Sequence, residues 1–399
     1  MISLLLYPKA IEDIKCTVLF KKTNNIYCIG NIQIDNYIFA KEKQKDSIML
    51  FLDYSNGNNS LEDIEKFFLE VHHLIIDVNE MYDLCKKNGF IQSEDLNETF
   101  IKPKSGFNDL ELFMVDIFSL SLDKLEPFIS FISKRLKSVV ILILVTTVFF
   151  LFLLLQNIYS YQSLEINWSS ILSNPLAIIF YMIISTLSIF IHELAHVIVS
   201  YRYGIKPKVL TFALYAYITP MIYVRLKGVY FIEPIKRILI WSSGAFMNFF
   251  LSLIFFVLMN FSYGNIRLFF LTGVTVNVIL GLSSLMPLVS SDGYYILSTL
   301  LKVPNLRKDS FSHISKILKG QVRKESIAYI IYCFIFVGAI SLILIIGLHD
   351  VITLIIEEIR NGMNFLQIAL RYINVLIFSL IGIFSKVIMF FMKKKKEKI

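Results

Sequence analysis

The pattern of apolar and polar residues divides the chain into a mixed front and a largely apolar remainder. Residues 1–100 change polarity every few positions, whereas six later runs stay apolar for about the 20 residues that cross a hydrocarbon core. The pattern predicts a polytopic α-helical membrane protein of about six transmembrane helices, with a small N-terminal α+β winged-helix-like soluble domain. The six runs are Val139–Ile158, Leu176–Tyr201, Ile238–Phe261, Leu268–Val289, Ile327–Leu348 and Leu366–Met392.

Short-range signals within residues 1–100 predict three strands followed by three helices. Ser60 and Asp77 have the residue types that cap helix N-termini, and Gly89 can end the last helix in a left-handed conformation. This order resembles the PqqD-like domains that bind leader peptides of ribosomally made, modified peptides, and a generic α+β domain is the alternative. The expected elements are strands Cys16–Phe20, Ile26–Ile29 and Tyr37–Phe39, a helix Asp46–Asp53, the two capped helices and a return strand Phe90–Ile91.

Two further segments fit neither the soluble front nor a full span. Residues 101–137 read as a linker followed by an amphipathic interfacial helix, Leu110–Lys137, that leads into the membrane. Residues 205–235 are apolar and aromatic but contain Pro220, and they predict a β-hairpin or a re-entrant element packed against protein. An edge strand there could pair with an unfolded substrate, or the hairpin could be purely structural.

The basic residues define an orientation for the six runs. The formal net charge is +8, and clusters of Lys and Arg lie in every second loop between the runs, as is typical of loops on the cytoplasmic side of a membrane. Both termini are therefore expected in the cytoplasm of a multi-pass plasma-membrane protein, with the lipid bilayer as a partner and no nucleic acid. The four cysteines lack metal or disulfide spacing and are expected to be reduced.

The second run contains the sequence His192-Glu193-Leu194-Ala195-His196. Residues four apart share a helix face, so His192 and His196 can bind one metal ion while Glu193 reaches a nearby water. A lone His on an apolar face is usually a satisfied polar residue. Two His and one Glu at this spacing, inside a membrane-length helix, favour a metal site instead.

A catalytic zinc site needs a third protein ligand, and Asp292 is the candidate. It follows the fourth run and precedes Gly293, with Pro287 available to break the helix before it. The second and fourth runs have the same direction in the predicted topology, so His192 and Asp292 can lie at similar depths. The alternative is an ordinary interfacial turn.

These motifs resemble those of the site-2 protease family of intramembrane zinc metalloproteases. His192-Glu193-x-x-His196 matches its active-site helix, residues 244–248 match its G-P-x-x-N segment with Ala245 at the Pro position, and Asp292-Gly293 matches its D-G motif. This sequence differs from the family at two positions: Ser291 replaces the usual Leu, and Ser284 stands where Asn is common. These differences bear on how a substrate strand is held near the D-G turn. Together with a PqqD-like front, the motifs look most like the peptide zinc metalloproteases encoded beside genes for modified peptides.

The resemblance implies one Zn²⁺ per chain, held by His192, His196 and Asp292, with Glu193 as the catalytic base. Asn248 would donate to the substrate or oxyanion, or form a buried interhelical hydrogen bond. The chain then divides into the front domain (1–100), the linker and interfacial helix (101–137), a site-2-protease-like membrane core (138–300), and a loop with two further spans and a basic tail (301–399).

The expected activity is hydrolysis of a peptide bond in or near the membrane, in maturation of a ribosomally made peptide precursor. The substrate would be a peptide or membrane protein, and the front domain could bind a leader peptide. A general protease acting on a membrane-bound regulator is one alternative. A non-enzymatic exporter or immunity partner is the other.

Overall fold

The N-terminal part of the chain folds as a three-stranded antiparallel sheet with three helices. A computed structural model describes residues 6–21, 25–92, 114–136, 145, 175–215, 219–287, 291–318 and 327–360. The sheet has the order β1-β2-β3, and the helices follow it in sequence. The elements are β1 Lys15–Phe20, β2 Ile26–Asn31, β3 Asn36–Lys41, α1 Glu42–Tyr54, α2 Leu61–Glu70 and α3 Val78–Lys87.

The predicted helix signals in this domain are confirmed. The Ser60 hydroxyl accepts from the Asp63 N–H at 3.2 Å, and the Asp63 carboxylate accepts from the Ser60 N–H at 3.0 Å, a reciprocal capping box. Asp77 caps α3 by accepting from the Glu80 N–H at 3.0 Å. Gly89 follows α3 with φ 70°, a conformation that favours glycine. The expected return strand is shorter than predicted, a single bridge between Ala10 and Ile91.

The sheet of this domain is covered on both faces. One face packs on the helices through a core that includes Ile29, Phe51 and Phe68, all at most 1% exposed. The other face carries Leu19, Phe20 and Cys28, which pack against Tyr230 and Phe231 from the chain that leads into the third predicted span. The domain is therefore joined to the remainder of the molecule through an apolar contact.

The predicted interfacial helix Leu110–Lys137 is wrong in its first half. Met114–Ser121 is a strand, β4, and the helix α4 begins only at Glu126 and ends at Arg135. Two physical reasons account for the difference. Pro127 lies in the first turn of α4, where it is tolerated, and would interrupt a helix that ran through it. The backbone of β4 instead pairs with β5, Val209–Tyr215.

The predicted β-hairpin within residues 205–235 is confirmed. β5 pairs antiparallel with β6, Thr219–Val224, to complete a second sheet of order β4-β5-β6. Leu210 and Ile222 of this sheet pack with Val197 of the helix that carries the His pair, in a buried cluster. The sheet thus lies against that helix, and β6 is an edge strand among the described residues.

Three helices are long and apolar enough to cross a membrane, and they coincide with the second, third and fourth predicted spans. They are α5 Pro175–Arg202, α6 Pro234–Asn260 and α7 Gly264–Leu285. The first and last predicted spans, Val139–Ile158 and Leu366–Met392, lie outside the described residues apart from residue 145. Together the three helices indicate a membrane protein.

Beyond α7, a short helix α8, Asp292–Leu300, is followed by α9, Leu306–Leu318, and α10, Ile327–Arg360. Residues from 307 onward form a separate compact unit. The fifth predicted span, Ile327–Leu348, falls within α10. The described apolar segment there, Tyr329–Ala339, is shorter than a membrane span.

The capping box of α2 gives a test of the N-terminal domain. Ser60→Ala removes the acceptor for the Asp63 N–H, so we expect the free energy of unfolding of this domain to fall by about 1 kcal/mol. Hydrogen exchange of the α2 amides in the full-length protein measures it. Ser47→Ala, at a half-buried position of α1 where the hydroxyl donates to the Lys43 carbonyl of the same helix, is the matched control and should change stability by less than about 0.5 kcal/mol. Equal effects of the two substitutions would contradict the capping role.

Candidate metal centre

Three side chains from two helices converge near the end of α5. His192 and His196 lie one turn apart on α5, and Asp292 is the first residue of α8. Asp292 Oδ2 is 3.1 Å from His192 Nε2 and 3.3 Å from His196 Nε2, and the two Nε2 atoms are 3.2 Å apart. The side chains are 5–16% exposed, so they are largely enclosed yet not sealed from solvent.

This triangle has the size of one face of a zinc coordination tetrahedron. Ligand atoms held at about 2.0–2.1 Å from a tetrahedral zinc ion lie about 3.3–3.4 Å apart. The three observed separations, 3.1, 3.2 and 3.3 Å, lie at the lower end of that range or within 0.2 Å below it. Two imidazole nitrogens and a carboxylate oxygen are also a ligand set that catalytic zinc sites use.

The second nitrogen of each imidazole has a partner on α6. His196 Nδ1 lies 2.7 Å from the Ile240 carbonyl oxygen, which can only accept, so Nδ1 carries the proton and the Nε2 lone pair is directed to the triangle. Ser243 Oγ also donates to the Ile240 carbonyl, at 2.6 Å. Such partners of the non-ligating nitrogen fix the tautomer and ring orientation of metal-binding histidines.

Asn248 has the corresponding place beside His192. Its side-chain amide lies 3.0 Å from His192 Nδ1, and its Oδ1 is buried without a hydrogen-bond partner among the described residues. A half-turn of the amide brings that oxygen to Nδ1, where it accepts the ring proton and leaves Nε2 free. Asn248 is only 1% exposed. Its position corresponds to the predicted interhelical hydrogen bond, while the predicted contact with substrate stays a prediction.

Gly244 of α6 makes room for the two imidazoles. A Cβ atom built on Gly244 would collide with the Nε2 atoms of both His192 and His196. Any side chain there would therefore fill the space next to the triangle. The glycine brings α6 into direct contact with the face of α5 that carries the histidines.

Asp292 is fixed by the turn between α7 and α8. Ser291 caps α8 by accepting from the Tyr294 N–H and donates its hydroxyl to the Met286 carbonyl. A Cβ on Gly293 would collide with the Leu285 backbone, so only glycine permits this approach of the two helix ends. The turn thus presents the Asp292 carboxylate to the Nε2 atoms of both histidines.

Glu193 adjoins the triangle from the side of the second sheet. Its carboxylate lies within 4.8 Å of ligand nitrogens of both histidines. Glu193 Oε2 accepts from the Val224 N–H at 3.0 Å, at the end of β6. Glu193 and Asp292 are thus alternative carboxylates for a metal, and Asp292, at 3.1 and 3.3 Å, lies closer to both Nε2 atoms.

The structure brings together all five residues that the sequence singled out: His192, Glu193, His196, Asn248 and Asp292. Sequence reasoning missed the Val224 amide, the Ile240 carbonyl and the Ser243 hydroxyl, because backbone groups and small polar residues have no pattern of their own. Gly244 had a signal, since it begins the segment that ends at Asn248.

No protein-family model, no curated protein and no solved structure matches this chain. The described part of the chain is mostly helical, with three membrane-length helices and a His192–Glu193–His196 group that could hold a metal ion.

Gly244→Ala tests the packing at this site. The added methyl group would occupy the space beside both Nε2 atoms, so we expect zinc affinity to fall by at least about tenfold, as for loss of an outer-shell partner. Competition with a chelator measures the affinity. Gly338→Ala, where a Cβ meets nothing within 4 Å, is the matched control and should bind zinc as wild type does. Unchanged affinity in Gly244→Ala would contradict the placement of α6 against the histidines.

Proposed function

We propose that this protein is a membrane-embedded zinc metalloprotease that hydrolyses a peptide bond in or near the membrane. The observation that carries the proposal is the triangle of His192 Nε2, His196 Nε2 and Asp292 Oδ2, with sides of 3.1–3.3 Å, next to the Glu193 carboxylate. If these residues had only a structural role, their three atoms would not need to lie this close together with a second carboxylate beside them.

His192, His196 and Asp292 would hold the zinc ion. Zinc in such a site polarises a carbonyl and lowers the pKa of water towards neutrality. The three residues provide two neutral nitrogens and one negative charge, and the proton of His196 is directed away from the site by the Ile240 carbonyl. The residues present therefore fit the group that the proposal requires.

Glu193 is the proposed general base. Its carboxylate takes a proton from the attacking water and delivers it to the amine that leaves when the peptide bond breaks. The Val224 N–H holds one carboxylate oxygen at 3.0 Å and so fixes the side chain beside the histidines. The partial exposure of His192 and Asp292 provides a route for water.

The edge of β6 that faces away from β5, with which no other described strand pairs, is the proposed docking site for the substrate. Backbone N–H groups of a strand alternate between its two sides, and that of Val224 is directed at Glu193, away from β5. Ile222 therefore also directs its N–H to this open edge, and Pro220, which has no N–H, takes the remaining equivalent position. An extended peptide paired with this edge would run past Glu193.

The site-2 protease resemblance and the N-terminal fold together support the substrate class. The motifs at His192-Glu193-x-x-His196 and Asp292-Gly293 occupy the two ends of the proposed zinc site, and the N-terminal sheet with three helices has the predicted element order. We propose maturation of a ribosomally made peptide precursor, with its leader as partner of residues 1–100. Cleavage of a membrane-bound regulator is the second candidate. A non-enzymatic role accounts for the Glu193 contact with Val224 but does not require that carboxylate to lie within 4.8 Å of both histidines.

Glu193→Gln separates metal binding from catalysis. The amide is isosteric and can still accept from Val224, but it cannot take a proton, so we expect zinc content to stay at one ion per chain while cleavage falls by about 10²–10⁴. Mass spectrometry of peptides from cells with wild type or variant identifies the product. Full activity of the variant would rule out Glu193 as the base.

Asp292→Asn tests the third ligand. The neutral amide loses the negative charge that faces two imidazoles. Loss of an outer-shell partner costs about 10–100-fold in metal affinity, and we expect a larger fall in zinc affinity here because a direct ligand is changed. Metal analysis after dialysis against a chelator measures it. Asp53→Asn, on the exposed face of α1, is the control. Wild-type zinc content in Asp292→Asn would mean that another group, such as Glu193, completes the site.

A further inference from the structure

The N-terminal domain contacts the membrane core through hydrogen bonds, each between a side chain of one part and a backbone group of the other. The Gly228 N–H donates to the Tyr37 hydroxyl at 2.7 Å, and that hydroxyl donates to Asp35 at 2.6 Å. Arg237 of α6, fully buried, donates from Nη2 to the Leu19 carbonyl at 3.0 Å and lies 4.9 Å from the centre of the Phe20 ring. A buried guanidinium with this partner ties the start of α6 to strand β1.

An aromatic cluster continues from this contact into the core. Tyr230 lies edge-on to Tyr37 at 5.1 Å and to Phe39 at 5.4 Å between ring centres. On its other side Tyr230 lies 6.3 Å from Trp241 of α6. Trp241 stacks on Tyr295 of α8 at 5.2 Å, with 25° between the ring planes. We call Tyr37, Phe39, Tyr230, Trp241 and Tyr295 the aromatic bridge.

The inner end of the aromatic bridge adjoins two of the proposed metal ligands. Trp241 directly follows Ile240, whose carbonyl accepts from His196 at 2.7 Å. Tyr295 lies three residues after Asp292, nearly one turn along the same short helix. The Trp241–Tyr295 stack therefore sets the distance between the α6 backbone that orients His196 and the α8 helix that presents Asp292.

We propose that Trp241 and Tyr295 are positioning residues that couple docking of the N-terminal domain to metal affinity at His192, His196 and Asp292. The inference rests on the proposed metal site and adds its regulation. When the domain is docked, Tyr37 and Phe39 hold Tyr230 against Trp241, and the stack keeps Asp292 aimed at the histidines. When that contact is weakened, α8 loses its support and the three ligand atoms separate.

Coupling of this kind is reciprocal. If docking strengthens zinc binding by some factor, zinc strengthens docking by the same factor. Zinc should therefore slow hydrogen exchange at the Gly228 amide, which donates to Tyr37 across the contact. This readout needs neither a substrate nor catalytic turnover.

The experiment compares zinc affinities of full-length variants in detergent, by competition with a chelator. Tyr37→Phe removes only the hydroxyl that bridges Asp35 and Gly228, and we expect about threefold to tenfold weaker zinc binding. Tyr27→Phe is the matched control: Tyr27 lies in the same sheet and its hydroxyl donates to the exposed Glu42 of α1. Trp241→Leu should weaken zinc at least as much, and adding Tyr37→Phe to it should have little further effect.

Unchanged zinc affinity in Tyr37→Phe would overturn the coupling, as would an equal loss in Tyr27→Phe or full additivity in the double variant. If Trp241→Leu does not fold, the Tyr37→Phe and Tyr27→Phe pair still decides, together with exchange at Gly228 in wild type. Zinc that leaves exchange at Gly228 unchanged would also overturn it. A wild-type protein that binds no zinc would overturn the metal site itself, which is a separate failure.

Discussion

The structure depends on one constraint: three polar ligand atoms must be held within about 3.3 Å of one another inside an apolar helix bundle. Polar groups away from water need partners, and here the partners come from the neighbouring helices. His196 uses the Ile240 carbonyl and His192 the amide of Asn248, while Asp292 faces both imidazoles. Gly244 and Gly293 permit the close helix contacts that bring these groups together.

Both sheets contact the helices that carry these groups. The second sheet lies against α5 through the cluster of Val197, Leu210 and Ile222, and its edge strand reaches Glu193 through Val224. The N-terminal sheet uses one face for its own core and the other for contact with Tyr230 and Phe231, just before α6, while Arg237 of α6 bonds to β1. Each sheet therefore meets a helix of the candidate site, one beside Glu193 and one close to the Ile240 carbonyl that contacts His196.

The sequence predicted those parts whose determinants are local. Residues close together in the sequence encode these parts: the caps at Ser60 and Asp77, the hairpin that contains Pro220, three membrane-length runs, and the spacing of His192 and His196. The residue pattern predicts the beginning of a helix at Met114–Ser121, where the structure has a strand, because the pairing partner of that strand, β5, lies far along the chain. The Val224–Glu193 contact and the aromatic bridge likewise depend on long-range packing, which residue patterns do not report.

The central claim is a zinc site built from two imidazoles and a carboxylate, and X-ray absorption of the zinc-loaded full-length protein tests it most directly. The account predicts a spectrum with two imidazole nitrogens and oxygen ligands at about 2.0–2.1 Å, and no sulfur. All four cysteines are free, and Cys28 and Cys85 are buried in the N-terminal domain. A spectrum without a zinc–sulfur distance would exclude all four as ligands. A zinc–sulfur distance near about 2.3 Å, or a shell without imidazole, would contradict it.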